Sequence, residues 1–534
     1  MTHGIVTAAQ PEATEAGALA LKRGGNAVDA AIACALVQTV VDPQMCGIAG
    51  FGSMQVYMAE RSVHTCIDFH GRAPSAARPD MWEHLIERET RDGFGFILKG
   101  RVNEVGYQSI TTPGSLRAFD EALSRFGTMS LHDPLRPAIG YAEDGFRIRP
   151  HVHAQWTQPE DLGRASKIDR LRHTQSGRRI YFDDKGDLLR LGATLRNPDM
   201  GRTLRRIARN GASDFYEGEI AREIAADMER HGGLLTLKDL RDYRAQENEP
   251  LWGEYRGRRI STNQPPGGGI MVLQMLNILE NFDLQALGHN SPEYIRVVSE
   301  AMKRATVDKD AYVGDPMFVE VPVRHLLDKG YARECAEAIR RGEKVRVARF
   351  GAEEPRDTTQ VCVLDEHGNA VTMTHSLGSP SGVITDGLGF MYNGCMGVFD
   401  PRPGRAGSLA PGKSRFSSMA PSIVFEGDEP MLVIGAPGGT YIAMGILQVM
   451  LNVLDFGMPI LDAVHAARFC ATSDVIDVVN RIPRYVTQDL EAMGYTIARS
   501  HLSYHFAGVH AILIEDGRRT GAADPGRDGM ALTV

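Results

Sequence analysis

The feature that most constrains this chain lies two-thirds of the way along it, where a charged stretch runs straight into a hydrophobic hairpin. From about Arg340 to Arg356 the chain carries Arg341, Gly342, Lys344, Arg346 and Arg349, then Gly351-Ala352-Glu353-Glu354-Pro355-Arg356. That composition predicts an exposed linker. Immediately afterwards Thr359 to Leu364 alternates and is rich in β-branched residues, and Ala370 to Ser376 repeats the pattern beyond Asp365-Glu366-His367-Gly368-Asn369. Two such runs about a turn predict a β-hairpin.

The rest of the chain predicts layers of helix and sheet. A helix is expected from about Thr14 to Gly24 and a second, almost uncharged and so buried on most sides, from Asp29 to Val41. Strands are expected at Ser53 to Met58, Val63 to Phe69, Ile423 to Phe425 and Met431 to Ile434, with a helix at about Tyr441 to Leu454. Residues from about Leu116 to Ile339 read as a helical layer. At 534 residues the chain exceeds the size of one hydrophobic core, which implies two or more lobes.

Charge and composition exclude several classes of function. A net charge of −8 gives no footprint for nucleic acid, and a small-molecule amide or peptide fits better. The seven cysteines are odd in number and lack a C-x-x-C pair, so neither a disulfide framework nor a zinc site is implied. His501 and His505 at i, i+4 have no third ligand nearby, and His151-Val152-His153 alternates as a strand would; no metal and no cofactor are expected. The N-terminus shows no signal-peptide pattern, and no later apolar run is long enough to span a membrane. The expectation is a cytoplasmic location without a membrane partner, with export following if a leader has been removed.

Seven segments occur in an order that resembles the γ-glutamyltransferase family: GNAVDAAIA (25–33), DFHGRAP (68–74), DFYEGEIA (214–221), QPPGGGI (264–270), DTTQVCVLDEHGNAVTMTHS (357–376), RFSSMAPSIV (415–424) and GAPGG (435–439). The resemblance implies an α+β N-terminal-nucleophile hydrolase, a four-layer αββα sandwich whose precursor cuts itself between Asp357 and Thr358. Residues 1–357 would form the large subunit and 358–534 the small one. The product would be a heterodimer of the cut halves, with a dimer of heterodimers as an open alternative.

The chemistry follows from the residues. A Thr hydroxyl held against the preceding carbonyl can convert that amide to an ester, which water hydrolyses. The freed α-amine, with a reference pKa of roughly 8, then serves as the base that an isolated Thr lacks. The resemblance places this nucleophile at Thr358, with Thr359 pointing to the other face. It also implies Ser376 as the partner hydroxyl, the Gly438 and Gly439 N–H groups as oxyanion donors, and Ser417 and Ser418 as receivers of a substrate carboxylate. Without the resemblance, Thr-Thr is ordinary strand sequence, Gly438-Gly439 a strand-to-helix turn and Ser417-Ser418 a polar turn. Gly267-Gly268-Gly269 lacks a following Lys-Ser/Thr and reads as structural.

The match breaks where the family grips a γ-glutamyl head. His70 stands where the family has a carboxylate-binding Arg, and Arg72, two residues on, is the replacement candidate if the strand continues, with a structural ion pair as its rival. Gly378, Cys395 and Val398 stand where the family has ammonium acceptors, leaving Asp400 as a possible substitute or as the start of a turn. Arg402, Arg405 and Lys413, in a loop where the family has a lid, would suit an acidic acyl group or be solvated charges. Three functions are therefore weighed: a γ-glutamyltransferase-like amide hydrolase or acyl transferase; an amidase or acylase for a carboxylated acyl group lacking a free α-amine; and an uncleaved, non-catalytic binding homologue.

Overall fold

The computed structural model describes residues 3–89, 95–159, 163–347 and 358–534. Its two main sheets use, in chain order, β1 (Gly4–Ala8), β2 (Phe51–Met58), β3 (Val63–Phe69), β4 (Gln246–Asn248), β5 (Leu251–Tyr255), β6 (Arg258–Thr262), β7 (Thr359–Asp365), β8 (Ala370–Ser376), β9 (Ser422–Glu426), β10 (Glu429–Gly435), β11 (His510–Glu515), β12 (Arg518–Ala523) and β13 (Met530–Thr533). The first sheet has the order β13-β1-β7-β8-β2-β3-β4 and the second β12-β11-β10-β9-β6-β5. Every pairing in both is antiparallel. Strands from before and after position 357 pair with one another in each sheet, β1 with β7 and β13 and β2 with β8 in the first and β6 with β9 in the second, so the two halves share both cores.

Helices cover the outer faces. Against the first sheet lie α1 (Pro11–Lys22) and α2 (Ala27–Val41). All fifteen residues of α2 are buried, as its lack of charge predicts. Asn26 starts α2 by accepting from the Val28 and Asp29 N–H groups while Asp29 accepts from the Asn26 N–H, a reciprocal cap. The Asp365 carboxylate also accepts from the Ala27 N–H at 2.9 Å, joining the helix start to the hairpin turn. On the second sheet, α3 (Gly269–Leu279) packs on α4 (Pro292–Tyr312) and α5 (Ile442–Leu454). Between the sheets, Ile5, Cys362, Leu364, Ile423, Phe425, Val433 and Ile512 form a third, smaller apolar layer. Helix, sheet, sheet and helix follow one another, the expected four-layer α+β sandwich.

Two expectations change. The stretch read as a helical layer also contains β4, at the edge of the first sheet, and β5 and β6, a hairpin about Arg256-Gly257 at the edge of the second. His151 and His153 lie on a helix, Pro150–Thr157, because Pro150 takes its first position, where a missing N–H costs nothing. Among the described residues no helix is long and apolar enough to cross a membrane.

Candidate active site

The hairpin β7–β8 builds the centre of the site. Thr358 directly precedes β7, Ser376 closes β8, and the register that pairs Thr359 with His375 sets the two hydroxyls side by side. Their Oγ atoms are 3.2 Å apart, and the Gly378 N–H donates to Ser376 Oγ at 2.7 Å. Alternation turns the neighbouring side chains the other way. Thr359 Oγ1 accepts from Gln38 of α2 at 2.9 Å, and His375 Nε2 lies 2.9 Å from Gln38 Oε1. Thr358 and Ser376 therefore face the space between the sheets, on the side where Thr374 Oγ1 donates to Gln360. Asp357 lies outside the described residues.

Strand β10 runs toward this point. Its Ile434 carbonyl accepts from Thr372 Oγ1 at 3.0 Å, and Thr372 pairs with Cys362. One residue later Gly435 lies against the Gln360 amide. Each step along β10 thus moves back along β7 toward Thr358, and after Gly435 the chain leaves the strand for the Pro437-Gly438-Gly439 turn. Gly438 and Gly439 have φ of 140° and 56°, in the region that favours glycine. A Cβ on Gly438 would stand 2.7 Å from Ala507 Cα. The turn leads into α5, whose first N–H groups have no intrahelical acceptor and whose dipole presents its positive end. Backbone of this kind suits an oxyanion.

Ser417 and Ser418 are both buried. The Ser417 N–H donates to the Pro266 carbonyl at 2.9 Å, and a Cβ on Gly268 would meet Ser418 Cα at 2.9 Å. Gly267-Gly268-Gly269 thus allows α3 to begin close behind the serine pair, a packing role.

Comparison with known proteins decides the family. The family model described as Gamma-glutamyltranspeptidase matches residues 13–534. The chain belongs to the gamma-glutamyltranspeptidase family. It is 37% identical over 544 residues to the acylase ACY 1 proenzyme of Pseudomonas sp. (strain V22), covering 100% of this chain and 94% of that protein. It is 33% identical to the glutathione hydrolase proenzyme of Escherichia coli (strain K12), over 98% and 90% of the two chains. Among solved structures, cephalosporin acylase from Bacillus halodurans superposes with a TM-score of 0.88 at 30% identity, over 99% and 96% of the chains. Fold and family together make this chain an N-terminal-nucleophile amidohydrolase.

In this gamma-glutamyltranspeptidase family member the segment that follows β3 does not continue as a strand. Strand β3 stops at Phe69, so strand alternation does not carry to Arg72. The Arg72 guanidinium instead packs 5.4 Å from the Tyr243 ring and donates to the Arg244 carbonyl at 3.2 Å. The His70 ring is buried with no hydrogen-bond partner on either nitrogen. Burial, then the nearby Arg415 and Arg72 charges, push its pKa down to about 3, so it is neutral and adds no charge to hold a carboxylate.

Arg415, which the sequence reading left without a role, is buried. Its guanidinium carbon lies 4.5 Å from the Phe51 ring centre, and Nη2 lies 3.4 Å from where a Cβ on Gly378 would stand. The one signal was its place in RFSSMAPSIV, two residues before Ser417.

Asp400 is engaged within its own loop. Its two oxygens accept from Arg402 at 2.8 Å, and Arg405 Nε lies 3.7 Å away. Lys413 donates to the Ala406 and Ser408 carbonyls at 2.8 and 2.9 Å. The loop cations thus hold the loop's own shape. Beside it a cleft of about 490 Å³ opens between Val398, Arg402, Arg405 and Phe416 on one side and Lys309 and Val313 on the other.

Proposed function

We propose that the chain cuts itself between Asp357 and Thr358, and that the new N-terminal Thr358 hydrolyses amides of a carboxylated acyl group lacking a free α-amine. The observation that carries this is the 3.2 Å contact between the Thr358 and Ser376 hydroxyls at the end of a buried hairpin. In the first reaction Thr358 Oγ adds to the Asp357 carbonyl carbon and the peptide nitrogen leaves, giving an ester. Water hydrolyses that ester to an Asp357 carboxylate and a free Thr358 amine. In the second, the amine takes the Oγ proton as Oγ attacks the substrate carbonyl, and the Gly438 and Gly439 N–H groups receive the oxyanion. The leaving amine departs with that proton, and water resolves the acyl-enzyme to the free acid. Ser417 and Ser418 serve the acyl carboxylate. Residues 1–357 and 358–534 remain together as a heterodimer, because strands of one pair with strands of the other in both sheets.

The choice of acyl group rests on Gly378, Cys395 and Val398, which offer no anion, and on Asp400, which is occupied by Arg402. An ammonium buried there would lose its hydration without a counter-charge. Resemblance to acylases supports this reading; 33% identity to a glutathione hydrolase keeps γ-glutamyl hydrolysis or transfer as the second one. Comparing γ-glutamyl-p-nitroanilide with glutaryl-p-nitroanilide separates them. The glutaryl compound is expected to have a kcat/KM about tenfold higher or more. Equal or better hydrolysis of the γ-glutamyl compound would overturn the acyl preference.

A further inference from the structure

We infer that Gln38 of α2 is a positioning residue for the reaction: from the face opposite the nucleophile it clamps the end of the β7–β8 hairpin and so aims the Thr358 hydroxyl. The inference rests on the self-cutting amidase reading above and adds a residue from before the cut that holds the strand beginning after it.

Helix α2 has the sequence AVDAAIACALVQTVV, and Gln38 is its one carboxamide. Gln38, Thr359 and His375 are all fully buried. An apolar side chain at 38 would suit this helix and need no partner, whereas a buried amide loses its hydration unless hydrogen bonds replace it. All of its bonds go to one place. Nε2 donates to Thr359 Oγ1 at 2.9 Å and to the Ala9 carbonyl at 3.1 Å, and lies 3.2 Å from the Gln360 carbonyl oxygen. Oε1 lies 2.9 Å from His375 Nε2. Ala9 directly follows β1, Thr359 and Gln360 open β7, and His375 comes one residue before the end of β8. One amide thus joins three neighbouring strands at the end where Thr358 stands.

The two carbonyls fix how the amide is turned. They only accept, so the NH2 group faces them and Oε1 faces His375, whose Nε2 therefore carries the proton and donates. No described residue bonds His375 Nδ1, and burial pushes the ring's pKa down to about 3, so the ring is neutral and keeps this one tautomer.

The pair Thr359–His375 is the rung of the hairpin nearest Thr358. Successive side chains on a strand point to opposite faces, so drawing Thr359 toward α2 sends Thr358 to the other side, where its Oγ1 meets Ser376 Oγ at 3.2 Å. Holding His375 does the same for Ser376. Once the chain is cut, Thr358 is a terminus, the kind of position that frays. The clamp on the very next residue opposes that. A nucleophile displaced by about 1 Å can lose on the order of 100-fold in rate, so one that is loosened rather than displaced should lose on the order of tenfold.

The test measures two rates. One is self-cleavage, followed on denaturing gels from freshly translated protein; the other is hydrolysis of glutaryl-p-nitroanilide by the cut enzyme. Gln38→Met has a similar shape without the amide. It is expected to slow self-cleavage on the order of tenfold and to lower kcat by a like factor, with KM within about twofold of wild type. A residue that only stabilised the fold would move the urea midpoint and leave both rates of the folded protein alone. Thr359→Val removes the same bond from its other end and should slow both steps likewise, whereas Thr359→Ser restores a hydroxyl and most of the rate. Unchanged rates in Gln38→Met, a loss confined to KM, or a loss in Gln38→Met with none in Thr359→Val overturns the inference and leaves the amidase reading standing. A cut wild type that does not hydrolyse the anilide defeats the amidase reading, and the self-cleavage rates then decide this inference alone. An uncut wild type defeats both. If Gln38→Met does not fold, Thr359→Val and Thr359→Ser decide: equal rates in the two overturn the inference.

Discussion

Thr358 owes its position to strand register rather than to anything special in its side chain. The pairing of Thr359 with His375 leaves Thr358 beside Ser376, a juxtaposition legible because a hairpin's register is local, although it was the family resemblance that singled the two residues out. Arg415 has no such local cue. It is placed by Phe51, Gly378 and Phe416, of which only the last is its neighbour in sequence. Arg72 is held by Tyr243 and the Arg244 carbonyl rather than by strand alternation, because the strand ends at Phe69. The contact with Ser376 also makes a prediction. Ser376→Ala removes the hydroxyl that holds Thr358 Oγ1 in line, and self-cleavage is expected to slow by on the order of 10- to 100-fold. Ser376→Thr keeps the hydroxyl and should cleave at close to the wild-type rate. A time course on denaturing gels checks this, and an unchanged rate in Ser376→Ala would remove Ser376 from the mechanism.

At the scale of elements, the sequence was most informative where burial is complete. The apolar run of α2 and the strands Val63–Phe69 and Ala370–Ser376 match their expected limits closely, because nothing but buried helix or strand accommodates them. Edge strands β4 and β5, and β6 beside β5, were hidden by short charged or half-exposed sequences, and the 399–414 loop by cations that bind its own carboxylate and carbonyls. The turn from β10 to α5 carries a prediction of its own. Gly438→Ala places a methyl 2.7 Å from Ala507 Cα at a φ of 140°, so backbone must move. A loss of on the order of 100-fold or more in kcat is expected, with a drop of about 2 kcal/mol or more in stability. Steady-state kinetics and urea unfolding measure the two; an active, equally stable Gly438→Ala would contradict the oxyanion role.

Across the whole molecule, three buried histidines tie stability to pH. Burial pushes His70, His375 and His510 each down to about 3. Against an ordinary value near 6.5 the native state binds fewer protons than the unfolded one, so their stabilising contribution is present above about pH 6.5 and is lost as pH falls toward about 3. Each site contributes a slope of up to about 1.4 kcal/mol per pH unit. The urea midpoint should therefore fall between pH 7 and pH 5, and fall less in His375→Gln; the same pH slope in that variant would contradict this account.

The pairing of strands from before position 357 with strands from after it, present in both sheets, is also what lets a cut chain keep its shape. That cut is the central claim, and N-terminal sequencing of the purified protein on a denaturing gel tests it most directly. Two bands of roughly 39 and 19 kDa, in proportion to residue number, are expected, the smaller one beginning at Thr358 and both replaced by a single band in Thr358→Ala. One intact band from the wild type, or a small fragment that begins at another residue, would contradict it.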